Sequence, residues 1–358
     1  MKIGILTQPL VANYGGILQN YALQAVLKRM GHEVWTMDYL KYTWFDWFNN
    51  AWRILAHKLL GHDVKFSKTP SSRKANERPL RRFVNENISL TTPRTKHIER
   101  KIVEKFGFEG IIVGSDQVWR PKYVILIQDM FLNFCKDMPI KRIAYAASFG
   151  TDEWEFTTEQ TKLCAPLAQQ FDAISVREAS GVSLCRNYLN VEATHVLDPT
   201  LLLTAEDYAC LCIGIPCNKP FVFAYILDQS EEKLKMIEDF AASKGLTYII
   251  QSAGPVIKQD DSIELWLSRF RDAAYIITDS FHGTAFSINF SKDFYVFSNK
   301  ERGNSRIESL LELFDLQDRI INHVINDNTC IDWKGVNNKL DEEREKSMKW
   351  LYDVLMKK

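Results

Sequence analysis

Short apolar runs alternate with longer stretches whose apolar residues recur every three or four positions. That alternation is the pattern of parallel strands joined by crossover helices. The first run is Lys2–Thr7 (KIGILT). It precedes a helical pattern over Ile17–Met30 that carries Ile17, Leu18, Tyr21, Ala22, Ala25, Val26 and Met30 on its apolar side. Gly31 stops that helix, and Glu33–Tyr39 reads as the next strand. Gly110–Val113, Arg142–Ala146, Ala173–Val176 and Thr194–Leu197 continue the series. A second series consists of Phe221–Ile226, Thr247–Gln251, Ala274–Thr278 and Phe294–Phe297, with helices near Glu231–Lys244, Ile263–Phe270 and His282–Phe290. A last helix, Val336–Lys357, gathers Leu340, Met348, Leu351 and Leu355 on one face.

The pattern predicts an α/β protein made of two Rossmann-like, doubly wound domains facing a cleft. The N-terminal domain covers 1–205 and the C-terminal domain 206–335, with the closing helix over 336–358. The break falls between Thr200 and Pro220, in Cys- and Pro-containing sequence. One insert, 40–90, interrupts the first domain. Residues 39–82 hold ten Lys/Arg against three Asp/Glu, and Tyr42–Trp52 packs six aromatics into eleven positions. Such a segment fits a helix lying on a membrane surface or gripping a carrier lipid, and equally a helical excursion packed on its own domain.

Composition narrows the field. At 358 residues the chain is long enough for two domains, and 46% hydrophobic residues exclude a disordered chain. Lys+Arg and Asp+Glu both number 45, which argues against a nucleic-acid binder. No signal peptide and no run of eighteen apolar residues is found, so a cytoplasmic protein, at most touching the inner face of a membrane, is the expectation. Seven scattered Cys form no CxxC pair, and no His lies near Cys210, Cys212 and Cys217. Reduced thiols and no metal site are expected.

In an open α/β sheet, ligands gather at the carboxyl ends of the strands, where helix starts offer N–H groups. The first such turn offers Asn13, Gly15, Gly16 and Gln19. The third strand is followed by Ser115, Asp116 and Gln117, the fourth by Ser148, and the fifth by Arg177. Glu178 reads as the surface partner of that arginine. The sharpest segment is Asp279-Ser280-Phe281-His282-Gly283-Thr284, a strand end opening into a helix. There an imidazole is suited to proton transfer and the helix start to an anion. Arg302, Asn304 and Arg306 form a candidate anion clamp beyond the next strand.

Taken in order, NYGGILQNYALQ, GSDQVW, AYAASFG, SVRE, VLDPTLLL and DSFHGTAFSINF resemble the polysaccharide pyruvyl transferase family, from about Lys2 to about Leu311. The resemblance implies a glycosyltransferase-B-like fold. It also implies transfer of pyruvate, as a ketal, from phosphoenolpyruvate to a sugar of a cell-surface polysaccharide or its lipid-linked precursor. Phosphoenolpyruvate is a co-substrate in this scheme, and no cofactor is implied. His282 and Asp116 would then divide the proton transfers. Arg177, Ser280, Gly283, Thr284, Arg302, Asn304 and Arg306 would hold the donor. Asn13, Gly15, Gly16, Gln19, Ser115, Gln117 and Ser148 would face the acceptor. Two positions depart from the family's usual pattern: Gly16 where an Asp is common, and Ser280 where an Arg is common. A nucleotide-sugar glycosyltransferase of the same fold, a noncatalytic sugar-binding module and a peripheral membrane tether are the competing readings.

Overall fold

The structure is a computed structural model that describes residues 1–11, 13–39, 80–95, 97–124, 126–216, 220–252, 261–298, 304–321, 325 and 329–357. Arg302, Cys217 and the aromatic stretch Tyr42–Trp52 lie outside the described residues.

Two parallel sheets carry the chain. The first contains β1 (Lys2–Leu6), β2 (Glu33–Thr36), β3 (Gly110–Val113), β4 (Lys141–Ala147), β5 (Ala173–Val176) and β6 (Thr194–His195), in the order β2-β1-β3-β4-β5-β6. The second contains β7 (Phe221–Tyr225), β8 (Thr247–Gln251), β9 (Tyr275–Thr278), β10 (Asp293–Phe297) and β11 (Ile320–Ile321), in the order β11-β10-β9-β7-β8. Every strand of β3 and β7 sequence is buried, as it must be when helices cover both faces of a parallel sheet. The helices used below are α1 (Tyr14–Arg29), α2 (Arg100–Phe106), α3 (Thr158–Ala168), α4 (Ala179–Leu184), α5 (Ala205–Ala209), α6 (Glu231–Ser243), α7 (Ile263–Asp272), α8 (Phe281–Asn289), α9 (Ser305–Leu313) and α10 (Trp333–Met356).

In the first sheet the winding reverses at β1, which has β2 on one side and β3 on the other. The loops after β1 and β3 therefore part and leave a crevice between them, the place where such sheets bind ligands. The second sheet reverses at β7, between β8 and β9. One continuous core runs through both halves, from Ile3 and Leu23 to Trp266, Phe286 and Leu311. Helix α10 returns to the first half: Leu197 N donates to Ser347 Oγ at 3.0 Å, Arg344 Nε donates to Leu201 O at 2.9 Å, and Trp350 lies against Tyr145. Its inward side is Val336, Leu340, Ser347, Leu351 and Leu355.

Several element boundaries differ from the sequence reading, the last helix beginning at Trp333 and not Val336 among them. Helix α1 starts at Tyr14, not Ile17, because Asn13 caps it by accepting Gly16 N at 3.1 Å. Gly15 and Gly16 thus belong to the first helical turn rather than to a loop. Strand β2 ends at Thr36, and β6 contributes only two residues. Among the described residues no helix is long and apolar enough to cross a membrane.

Candidate active site

The loops that follow β1 and β3 meet as the topology requires. Thr7 Oγ1 donates to Ser115 O at 3.4 Å, Gln8 Nε2 to Gln117 O at 3.2 Å, and Asn13 Nδ2 to Asp116 Oδ2 at 3.0 Å. Gly114 stands at φ +128, and a Cβ there would fall 2.1 Å from Tyr145 O, so the turn admits glycine alone. Asp116 itself sits in the left-handed region at φ +59. Its own Oδ1 accepts Gln117 N at 2.8 Å, the local bond that lets aspartate tolerate this region.

Asp116 shares a buried cation with a second carboxylate. Arg177 donates from Nη1 to Asp198 Oδ2 at 2.8 Å and from Nη2 to Asp116 Oδ1 at 3.3 Å. Asp198, 2% exposed, also accepts Thr200 N, Thr200 Oγ1 and Ser115 Oγ. Burial would raise both carboxyls, yet the Arg177 guanidinium, with help from His282, holds each below its ordinary range. Burial opposes the charge on Arg177, and Asp198, Asp116 and Glu178 more than restore it.

The second half contributes α8. Ser280 caps it, its Oγ accepting Gly283 N at 3.4 Å, and Thr284 bonds back to the Ser280 carbonyl. The N–H groups of Gly283 and Thr284 are therefore used within the helix. Phe281 lies between two guanidiniums, 4.7 Å from that of Arg177 and 5.9 Å from that of Arg306. His282 is 7% exposed, and its Nε2 has no hydrogen-bond partner among the described residues. A Cβ on Gly15 would fall 2.1 Å from the imidazole Cγ and Nδ1, so the backbone of α1 presses directly on the ring. Burial pushes the His282 pKa down to about 4, with Asp198 and Asp116 opposing and Arg177 and Arg306 assisting. The ring is a neutral base at pH 7. Arg306, 7% exposed, is pushed down to about 10 by burial and then by Arg177.

The structure thus brings Asn13, Gly15, Asp116, Arg177, His282 and Arg306 to one place. Gln19, Ser115 and Ser148 are buried and spent on holding loops: Gln19 accepts Ser115 N at 2.9 Å, and Ser148 Oγ accepts Gly150 N at 3.1 Å. Gly16 is buried behind Asn13. Gln117 is half-buried, its Oε1 accepting Arg120 Nη1 at 3.0 Å. Asn304 precedes α9 and bonds Ser298 Oγ. Asp279, beside His282 in sequence, turns away to accept Leu227 N, Asp228 N and Lys233 Nζ. Glu178 is no surface residue. It is fully buried and accepts Phe149 N and Gly150 N. Asp198, Glu178 and Phe281 contact Arg177 and were not picked out, although all three lay inside the motifs quoted above.

A pH experiment follows from these shifts. An unfolded imidazole titrates near ~6.5. Between there and about 4 the unfolded chain binds a proton that folded His282 refuses. The corresponding stability is full above the unfolded value and is lost as pH falls toward 4, on the order of 3 kcal/mol. Asp116 and Asp198 act below that. Their depressed carboxyls contribute stability above about 4, which is lost as pH falls through their folded values. Urea midpoints should therefore fall in two stages, and His282→Gln should flatten the upper stage. Parallel wild-type and variant curves across that stage would contradict the neutral imidazole.

Residues 13–301 match the family model for polysaccharide pyruvyl transferases. The chain belongs to that family. It is therefore a transferase acting on polysaccharide, and the cluster just described lies within the matched region except for Arg306, five residues past its end. No curated protein is significantly similar to it in sequence. Among solved structures it is similar to UDP-GlcNAc 2-epimerases. The Neisseria meningitidis enzyme, solved bound to UDP-GlcNAc, has a TM-score of 0.53 at 8% identity, with 100% of each chain covered. The Methanocaldococcus jannaschii enzyme has a TM-score of 0.50 at 12% identity, covering 95% of this chain and 92% of that one. The S. aureus MnaA–UDP structure has a TM-score of 0.51 at 9% identity, covering 97% and 90%. At such identities the likeness gives this transferase its fold, a GT-B-type pair of Rossmann-like halves, and nothing about its substrate.

Proposed function

We propose that the chain moves the pyruvyl group of phosphoenolpyruvate onto two hydroxyls of one sugar in a cell-surface polysaccharide or its lipid-linked precursor. One observation carries this reading. Ser180 Oγ, His282 Nε2 and Ser305 Oγ are all buried without a hydrogen-bond partner among the described residues, and they belong to elements that converge: Ala179 N at the start of α4 donates to Ser309 Oγ on α9. Buried polar atoms are ordinarily paired, so such a concentration suits a place that a polar ligand completes. With Arg306 beside it, that ligand is an anion. Phosphoenolpyruvate carries two anionic groups on a small frame.

In this scheme Arg306 and the serines Ser180 and Ser305 hold the donor. Arg177, committed to Asp116 and Asp198, keeps the carboxylates ionised and in place. The donor's charge favours a proton on His282, which passes it to the methylene carbon. One sugar hydroxyl then bonds to the carbon bearing the phosphate ester. The second hydroxyl bonds to the same carbon as phosphate leaves. Asp116, at the crevice beside Asn13, takes the proton of the first hydroxyl, the departing phosphate carries off that of the second, and the proton on Asp116 passes to solvent as His282 regains one.

Calorimetric titration tests the donor. Saturable phosphoenolpyruvate binding is expected, weakened about ten- to a hundredfold in Arg306→Gln by loss of a charge-assisted bond. Binding of UDP-GlcNAc with no phosphoenolpyruvate binding would contradict the reading and favour a sugar-nucleotide enzyme.

A further inference from the structure

Tyr14 is the first residue of α1, so by sequence it belongs to the first half. Its ring, however, is 0% exposed and lies in the second half, stacked on Trp266 at 5.5 Å and 13° and edge-on to Tyr225 at 6.3 Å. The phenol O–H donates to Asp261 O at 3.1 Å, and its oxygen accepts from Gln251 Nε2 at 3.0 Å. Both partners are fixed in turn by Arg269, which pairs with Asp261 Oδ1 at 3.1 Å and with Gln251 Oε1. Burial, with the Asp261 carboxylate, raises the phenol well above its ordinary pKa, so the group stays a donor at any working pH.

The two neighbours of Tyr14 reach the two sides of the site. Asn13 bonds Asp116 of the first half, and Gly15 presses on the His282 imidazole of the second. A covalent run of three residues therefore spans from the carboxylate to the imidazole, and the middle residue is anchored. We infer that Tyr14 is a positioning residue for His282: its hydroxyl fixes the start of α1 on the second half and so sets the imidazole against Asp116 and Asp198. Nothing on the ring of Tyr14 touches the reacting groups. It acts through the backbone of Gly15.

The inference rests on the proposed role of His282, but its first test needs no substrate. Tyr14→Phe keeps the ring and the stack on Trp266 and removes only the hydroxyl. The imidazole titrations of wild-type and variant protein, followed by NMR with labelled histidine and assigned through His282→Gln, give the position of His282 directly. In Tyr14→Phe the His282 midpoint should move up toward the ordinary imidazole range as the ring leaves its buried seat beside Arg177 and Arg306. Turnover of phosphoenolpyruvate should fall on the order of a hundredfold in kcat, because small misplacements of a proton-transfer group are costly, with KM little changed. Tyr208→Phe is the control. Tyr208 is equally buried, and its hydroxyl bonds Thr200 O at 3.0 Å and not a residue that anchors the start of α1, so it should leave both readouts in place. An unmoved His282 titration in Tyr14→Phe overturns the inference, and so does an equal shift in Tyr208→Phe. A moved titration in a protein that binds no phosphoenolpyruvate supports the positioning role and overturns the donor instead.

Discussion

Replacing His282 with Gln should slow transfer by about a hundred- to ten-thousandfold, the range expected when a positioned proton-transfer group is removed. Glutamine retains a polar side chain of similar reach but cannot carry the proton. The fold should survive at neutral pH. His282 caps nothing, its Nε2 has no partner to lose, and α8 is held by Ser280 and the Phe281 and Phe286 rings. The thermal midpoint at pH 7 should therefore stay within a few degrees of wild type. The decisive comparison is between activity and stability in the same preparation. A variant that loses both together would mean that the imidazole is a packing residue. A variant that keeps its activity would remove His282 from the chemistry.

The largest loss of stability is expected from Arg177→Met. The methionine nearly fills the volume but removes the cation that pairs with the buried Asp116, Asp198 and Glu178. Breaking a buried ion pair from one side costs about 3–5 kcal/mol, because the orphaned charge remains. Two of the three carboxylates, Asp116 and Asp198, also lose a hydrogen bond here, so the upper end is expected at pH 7. The loss should shrink at acid pH as the carboxylates take up protons. Arg177→Lys should fall between, since an ammonium keeps the charge but cannot make the fork to both carboxylates. Urea midpoints for the three proteins at pH 7 and pH 5 measure this. Were Arg177 chiefly a donor ligand, the methionine variant would lose donor affinity and keep its stability.

Much of this was legible in the sequence, and the parts that were not share a physical cause. The continuous apolar runs of β3, β7 and β9 can only be buried strands, and their spacing gave the two parallel sheets. The two-residue β11 has no periodicity to read. The start of α1 was misplaced because two glycines look like a turn. The Asn13 cap on Gly16 N and the buried Tyr14 ring decide otherwise, and the ring is held by residues far away in sequence. His282, Asp116 and Arg306 were picked out because their types stand out at strand ends and helix starts, and the structure brings them together. Asp198 was not, because an Asp before Pro reads as a simple cap, and it does cap the turn at Pro199 while also pairing with Arg177. Glu178 was placed on the surface because charge patterning cannot tell a solvent-facing pair from one buried beneath a loop. Asp279, three residues before His282 in the same segment, is spent on Leu227 N, Asp228 N and Lys233 Nζ.

The central claim is that this buried cluster transfers a pyruvyl ketal from phosphoenolpyruvate to a glycan. The most direct measurement incubates wild-type protein and the His282→Gln variant with phosphoenolpyruvate and a panel of galactosides, glucosides and N-acetylhexosamine glycosides. Phosphate release and the NMR signature of a ketal carbon on the sugar are recorded together. The account predicts phosphate released only when an acceptor is present, one ketal for each phosphate, and the loss of both signals in the variant. Phosphate release that ignores the acceptor, or a ketal that forms equally well without His282, would contradict it.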